Sequence, residues 1–234
     1  ILIANVKNSG DGLILTTDIL TAVIDKKTLL LLSGGRTPKE LYETLASTES
    51  LEPGAVGLVD ERYGEKFHEN SNEKMIRDTG LLRYFSARDI PFYPILAKGE
   101  TREETADDYD LMLRELQTVY QKSVGILGIG LDGHTAGLPA LNSKLKIKNE
   151  KLYDEKYTFV TEYNDESGKY GERVTMTFLG LSHLDLFLVL VFGDDKKAAL
   201  DLVFSDGSEE EVPGRFYKQA EIARKTLLIT DLHV

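Results

Sequence analysis

An aspartate and a histidine, Asp132 and His134, lie two residues apart in the glycine-rich segment GIGLDGHTAG. Histidine is the usual general base at neutral pH, because the unperturbed imidazole pKa lies near ~6.5. A carboxylate beside the ring can fix its tautomer and favour the imidazolium that forms on proton transfer. The pair therefore predicts a general base. The spacing alone fits equally well with a histidine that lies in a loop and only caps a helix.

Two other interpretations of these residues are disfavoured. Gly128, Gly130 and Gly133 match the GxGxxG pattern of dinucleotide sites, but Asp132 would place a carboxylate beside the pyrophosphate. The four histidines contain no HxH or HxxxH pair, and the chain has no cysteine. We therefore expect no metal and no dinucleotide site, and no disulfide or cysteine nucleophile.

A glycine-bearing loop, SGGRT, leads from an apolar run into a predicted helix. Glycine lets the backbone approach a ligand closely, and a helix N-terminus offers unpaired N–H groups with a partial positive charge. These features favour a phosphate site, and a guanidinium in the loop favours it further; a plain strand-to-helix turn is the alternative. The candidate residues are Ser33, Gly34, Gly35, Arg36 and Thr37.

Further charged candidates follow or precede other strand-like runs. Asp60 and Arg62, in DER, are suited to orienting hydroxyls and to neutralising a phosphate or an oxyanion. Lys196 follows an apolar run, and Arg173 precedes the alternating run VTMTF. Each has a simpler interpretation as a solvated strand end or an exposed helix residue.

The elements that must position these residues alternate along the chain. Near-continuous apolar runs predict buried strands, and amphipathic stretches predict helices, with Thr37 as N-cap and Pro38 as the first helical residue of the first one. The segment 145–171 is polar and predicts irregular structure with an exposed turn at 164–171. The predicted strands are 28–32, 55–59, 124–129, 185–192 and 226–229, and the predicted helices are 37–46, 101–120 and 196–204.

This alternation predicts an α/β fold: an open, mostly parallel sheet with helices on both faces, in one domain over 1–234. Ligands of such sheets bind at the carboxyl ends of the strands, near the switch in strand order. The candidate residues all follow or flank predicted strands. We therefore expect them to converge on one site, although they are far apart in sequence.

Composition restricts the partners. The 234 residues carry a net charge of −11, which disfavours nucleic acids and anionic membranes but allows a local cationic cluster to bind a small anion. No apolar run approaches the ~20 residues needed to span a bilayer, and the first residues lack the pattern of a signal peptide. A cytoplasmic enzyme is the expectation.

Taken together, the motifs resemble the 6-phosphogluconolactonase family, which belongs to a larger sugar-phosphate isomerase group with glucosamine-6-phosphate deaminase. The segments that carry the resemblance, in order, are SGGRTPKELY, DERYGEKFHENSN, GIGLDGHTAG, ERVTMTFLGL and VFGDDKKAAL. The resemblance implies a Rossmann-like three-layer fold. It also implies hydrolysis of 6-phosphogluconolactone to 6-phosphogluconate in the pentose phosphate pathway, without a cofactor. The implied partner is this small sugar-phosphate lactone. A monomer or small homo-oligomer is the expectation for the assembly.

The resemblance also assigns roles by position. His134 matches the general base, and Asp132 and Asp60 match carboxylates that line the site. Basic residues around the substrate match Arg62, Arg173 and Lys196, and the phosphate-side loop matches Ser33, Gly34, Gly35 and Thr37. His68 and Asn72 match positions of an H-x-x-S-N segment near the pocket.

The chain departs from the family pattern at several positions. Arg36 and Gly137 replace residues that are commonly serine, and Pro139 comes one residue early. The deaminase carries a glutamate where Pro139 lies and tends to have tyrosine where Arg62 lies, so both differences favour the lactonase. A non-catalytic sugar-phosphate sensor is the third possibility; such domains usually accompany a DNA-binding module, which the acidic charge disfavours.

Overall fold

The computed structural model describes residues 1–97, 101–141, 152–153, 156–166 and 171–233. The strands within these residues are β1 (Leu2–Asn5), β2 (Thr28–Leu32), β3 (Ala55–Leu58), β4 (Asp60–Arg62), β5 (Phe92–Tyr93), β6 (Lys122–Gly128), β7 (Val160–Asp165), β8 (Gly171–Met176), β9 (Leu186–Val191) and β10 (Thr226–Thr230). The α-helices are α1 (Ser9–Val23), α2 (Arg36–Thr48), α3 (Asn72–Asp78), α4 (Leu81–Ala87), α5 (Arg102–Val119), α6 (Phe178–Ser182), α7 (Lys197–Phe204) and α8 (Ala220–Ala223).

Seven strands form the main sheet, in the order β1-β10-β9-β6-β2-β3-β5, and every pairing between neighbours is parallel. All five residues of β2 are buried, as expected of a central strand that is covered on both faces. The predicted α/β fold with a parallel sheet is therefore confirmed. The assignment of residues 1–234 to a single domain stays a prediction. No helix in the described part of the chain is long and apolar enough to cross a membrane.

The order of the strands places the switch point between β2 and β6. The chain runs outward from β2 to β3 and β5, and then returns to β6 on the opposite side of β2. The loops that leave these two neighbouring strands therefore diverge at the carboxyl edge of the sheet. A crevice opens at such a point in doubly wound sheets.

The start of α2 differs from the prediction. Gly35, not Thr37, is the N-cap, and the helix begins at Arg36. Gly35 has a φ of 116°, which glycine tolerates, so the chain turns into the helix two residues earlier. Pro38 is then the third helical residue, a position whose missing N–H still leaves no intrahelical bond unmade.

A second, antiparallel sheet of order β4-β8-β7 was not predicted. The prediction of irregular structure is wrong for Val160–Asp165, which forms β7; its polar sequence VTEYND concealed a strand whose residues are partly buried against β8. Asp60 likewise begins β4 rather than ending a strand of the main sheet. The parts of the predicted irregular segment at 145–151, 154–155 and 167–170 lie outside the described residues.

Candidate active site

A cavity of about 730 Å³ opens at the carboxyl ends of β2 and β6, at the switch point of the main sheet. Twelve of the thirteen residues predicted from the sequence line it, and His68 does not. The twelve are Ser33, Gly34, Gly35, Arg36, Thr37, Asp60, Arg62, Asn72, Asp132, His134, Arg173 and Lys196. The topology therefore brings together residues from both sheets and from the loops after β2, β6 and β9.

His134 and Asp132 form a hydrogen-bonded pair on the loop after β6. The Nδ1 atom of His134 lies 2.6 Å from Oδ1 of Asp132, and the backbone N–H of His134 donates to the same oxygen at 3.3 Å. A carboxylate accepts only, so the neutral ring carries its proton on Nδ1 and its lone pair on Nε2. The side chains of His134 and Asp132 are 34% and 22% exposed, and both face the cavity.

Two glycines of this loop, Gly130 and Gly133, are required by close packing. The N–H of Gly130 donates to the carbonyl of His134 at 2.8 Å, and the histidine ring rests against Gly130. A methyl group at Gly130 would lie 2.7 Å from Cγ of His134 and closer still to Nδ1 and Cε1. Gly133 has a φ of 82°, and a side chain there would overlap Val212. Of the three glycines of the GxGxxG match, Gly130 is thus required by the imidazole ring and Gly133 by its positive φ and by Val212.

Buried hydroxyls anchor the residues that follow His134. The hydroxyl of Thr135 donates to the carbonyl of Gly128 at 3.0 Å and accepts from Tyr217 at 2.6 Å. The N–H of Gly137 donates to Thr175 Oγ1 at 3.0 Å, and its carbonyl accepts from the Tyr163 hydroxyl at 2.7 Å. The loop is therefore fixed from both sheets. The sequence carried no signal for this framework, because the partners are distant in the chain.

Gly137, which replaces the serine common in the family, sits in a tight place. A methyl group there would lie 2.8 Å from Cβ of Thr175 and 3.0 Å from Cβ of Asp60. Glycine therefore lets the loop approach the wall of the cavity formed by the second sheet. Ala136, just before it, has a φ of 52°, so the chain turns sharply at this point.

Two arginines and one carboxylate form the wall contributed by the second sheet. Arg62 on β4 and Arg173 on β8 are register partners, and Nη1 of Arg173 lies 3.3 Å from Oδ2 of Asp60. Nη1 of Arg62 donates to the carbonyl of Asn70 at 2.5 Å, while its buried Nε has no hydrogen-bond partner among the described residues. Burial, and then the nearby Arg173, lower the pKa of Arg62. This wall carries a net positive charge.

The loop after β2 meets the start of α3 at the cavity. Ser33 is buried, and its Oγ has no hydrogen-bond partner within the described ranges. Asn72 donates from Nδ2 to the carbonyl of Asp60 at 2.9 Å, and its Cγ would lie 2.5 Å from a methyl group at Gly34. Gly34 is therefore required for Asn72 to sit beside the loop.

Glu61 holds α3 in place, and sequence reasoning gave it no role. Its fully buried carboxylate accepts from the N–H of Arg62, Asn72 and Glu73 at 2.7, 2.7 and 2.8 Å, and from the Ser71 hydroxyl at 2.9 Å. Burial raises the pKa of Glu61, and these four donors oppose that shift. The acidic residue of DER thus anchors a helix N-terminus rather than facing the cavity.

Lys196 and His68 complete the predicted set. The ammonium of Lys196 donates to the carbonyl of Ile129 at 2.6 Å, and burial lowers its pKa. His68 lies outside the cavity: its Nε2 is 3.0 Å from the carbonyl of Arg62, and the N–H of Asn70 approaches its Nδ1 at 3.3 Å. It braces the segment that carries Arg62. Asp195, which the sequence did not single out, lines the cavity beside Lys196.

The described residues contain no group of three or more histidine or acidic side chains arranged to hold a metal ion. The fold and the cavity define an α/β protein with a histidine–aspartate pair and four cationic side chains around a pocket at the carboxyl edge of the main sheet. The chain belongs to the family of glucosamine-6-phosphate isomerases and 6-phosphogluconolactonases, whose model matches residues 15–227.

Individual relatives agree with this assignment. The chain is 32% identical over 179 residues to a 6-phosphogluconolactonase of Xylella fastidiosa, covering 75% of this chain and 71% of that protein. It is 30% identical over 215 residues to a 6-phosphogluconolactonase of Synechocystis, covering 86% and 82% of the two chains. The crystal structure of a 6-phosphogluconolactonase from Shewanella baltica superposes with a TM-score of 0.76 at 18% identity, covering 98% and 96%, which shows the shared fold.

Proposed function

We propose that the protein hydrolyses 6-phospho-D-glucono-1,5-lactone to 6-phosphogluconate, as the lactonase step of the oxidative pentose phosphate pathway. The observation that carries the proposal is the His134–Asp132 pair, which faces a cavity lined by four cationic side chains. Two relatives, 32% and 30% identical to this chain over the matched residues, are named for this activity. A lactone is an activated ester, so its hydrolysis needs a base and charge stabilisation but no covalent nucleophile.

His134 is the proposed general base. Its Nε2 takes a proton from water as the water oxygen bonds to the lactone carbonyl carbon. Asp132, 2.6 Å from Nδ1, stabilises the imidazolium that forms. The tetrahedral intermediate then breaks its bond to the ring oxygen, which receives the proton from the imidazolium. One water molecule is added across the ester bond, and His134 returns to its neutral form.

The cationic side chains supply the remaining chemistry in this proposal. Arg62 and Arg173, register partners on the second sheet, neutralise the oxyanion or the phosphate in this proposal, and a well-placed donor to an oxyanion contributes ~3–4 kcal/mol to the transition state. Asp60, held by Arg173, can accept hydrogen bonds from sugar hydroxyls. The N-terminus of α2 with Arg36, and Lys196, bind the phosphate, whose distance from the reacting carbon makes its role one of orientation.

The isomerase branch of the family is the alternative. Ring opening there uses a glutamate at the position of Pro139. Among the described residues, the carboxylates that line the cavity are Asp60, Asp132 and Asp195. None of them follows His134 in the loop, and this favours hydrolysis over ring opening.

Turnover of the lactone tests the proposal. The lactone is generated in situ by oxidation of glucose 6-phosphate, and 6-phosphogluconate formation is followed with and without the protein. We expect a rate far above spontaneous hydrolysis, and a much lower rate with unphosphorylated gluconolactone. A rate equal to the spontaneous one would refute the lactonase proposal, and ammonia release from glucosamine 6-phosphate would support the isomerase branch instead. A cytoplasmic location, a monomer or small oligomer, and independence from cofactors remain predictions.

A further inference from the structure

An ion pair joins two exposed residues that line the cavity, Arg36 and Asp195. Arg36 is the first residue of α2, which follows β2, and Asp195 lies in the short 3-10 turn Asp194–Lys196 that follows β9. β6 lies between β2 and β9, so the two strands are about 10 Å apart. Nη2 of Arg36 nevertheless lies 3.8 Å from Oδ2 of Asp195. The two side chains, 74% and 54% exposed, thus meet across the end of β6, where the His134 loop begins.

The backbone around Asp195 fixes its position. Gly193 has a φ of 94°, and its N–H donates to Oδ1 of Asp231 at 2.9 Å. The N–H of Lys196 closes the turn on the carbonyl of Gly193 at 2.9 Å. Oδ1 of Asp195 folds back over Gly193, 2.8 Å from where a methyl group would lie. The turn therefore directs this carboxylate toward the cavity, whereas Asp194 does not line it.

Asp195 acts electrostatically on both Arg36 and Lys196. Burial is the main cause of the lowered pKa of Lys196; Asp195 opposes this shift, and Arg36 adds to it. The three side chains are thus close enough to influence one another's charge. A ligand that enters next to Arg36 and Lys196 must therefore interact with the carboxylate as well.

Building on the proposed function, we propose that Asp195 is a specificity-determining residue, an internal counterion that the phosphate group of the ligand must displace from Arg36. A phosphate dianion carries more charge than a carboxylate and can make bidentate hydrogen bonds to a guanidinium. It can therefore replace the Asp195 carboxylate, which lies 3.8 Å from Arg36, as the partner of the guanidinium. A neutral lactone cannot. Asp195 also weakens the binding of every anion, including the product, which gains a carboxylate on hydrolysis.

Calorimetric titration with inorganic phosphate and with 6-phosphogluconate tests this role. Asp195→Asn should bind both anions about three- to tenfold more tightly than the native chain, as expected from the loss of one exposed ion-pair partner. The matched control is Asp194→Asn, which makes the same change in net charge at the neighbouring exposed residue. We expect its affinity to stay within about twofold of native.

A double-mutant cycle with Arg36→Gln separates displacement from a general field effect. If Asp195 acts through Arg36, the gain from Asp195→Asn should fall below about twofold when Arg36 is already replaced. Equal gains in both backgrounds, or equal affinities of Asp195→Asn and Asp194→Asn, would overturn the inference. If the native chain turns over the lactone but Asp195→Asn binds phosphate no more tightly than the native chain, the inference about Asp195 is overturned and the proposed function stands. If the native chain shows no lactonase activity but Asp195→Asn binds phosphate more tightly than the native chain, the counterion role is supported and the proposed function is refuted.

Discussion

The position of the His134 ring against Gly130 allows a sharp prediction for Gly130→Ala. The added methyl carbon would lie 2.7 Å from Cγ of the ring, whereas ordinary contacts between such atoms are ~3.5 Å or more. Because Nδ1 and Cε1 lie closer still to the added carbon, the ring must retreat by at least about 1 Å, and a misplacement of that size can reduce catalysis by ~100-fold. We expect kcat/KM for the lactone to fall by at least about 100-fold, or ~2.7 kcal/mol of transition-state stabilisation.

Stability should change much less than activity in this variant, because the overlapping group is the end of a side chain that can move. We expect the Tm to fall by no more than about 4 °C. The matched control is Gly128→Ala, whose methyl group would meet only the carbonyl of Leu190, at an ordinary 3.7 Å. Progress curves of lactone hydrolysis and thermal melts of both variants provide the comparison. If Gly130→Ala kept more than a third of the native rate, or lost no more than Gly128→Ala, the role assigned to the ring position would be refuted.

Two further predictions concern buried charge. Glu61→Gln should lower the unfolding free energy, measured by urea denaturation, by about 2–4 kcal/mol, because the new amide nitrogen would face hydrogen-bond donors. The control is Glu73→Gln, which should lower the unfolding free energy less, because the buried Oε2 of Glu73 has no partner among the described residues. Equal losses in the two variants would contradict the role of Glu61. Burial lowers the pKa of Lys196 from its ordinary 10.5, so this cation is lost at a lower pH than an exposed lysine. In the native chain, phosphate affinity should therefore already weaken as the pH rises toward 10.5, the ordinary lysine pKa, and it should hold in Lys196→Arg. An affinity independent of pH in both proteins would count against a phosphate contact by Lys196.

The main sheet was predictable because its strands are buried on both faces and so appear in the sequence as apolar runs. The run 28–32 coincides with β2, and the run 226–229 differs from β10 by one residue. The convergence of the loops after β2, β6 and β9 followed from the same pattern, since parallel strands bring their carboxyl ends to one edge. The pattern accounts for the cavity residues of these loops, whereas Asn72 was expected only from the family resemblance and Arg173 only became a strong candidate through it.

The second sheet was not predictable, because its strands are short and carry charges that are satisfied only by tertiary contacts. Glu61 has the local sequence of a solvated strand end, yet it is fully buried against the N-terminus of α3. The pairing of Arg36 with Asp195 depends on the order β9-β6-β2, which local sequence does not report. The N-cap at Gly35 depends on a positive φ that only the folded chain reveals.

The central claim is that His134 is the base that activates water, and its removal is the most direct test. Lactone hydrolysis would be measured for the native chain, for His134→Ala, and for His183→Ala as the matched loss of a histidine. His183 follows α6 and precedes β9, at the amino edge of the sheet and away from the cavity. We predict that His134→Ala loses about 10²- to 10⁴-fold in kcat while His183→Ala keeps the native rate. A His134→Ala variant that hydrolyses the lactone at a near-native rate would contradict the assignment of the base.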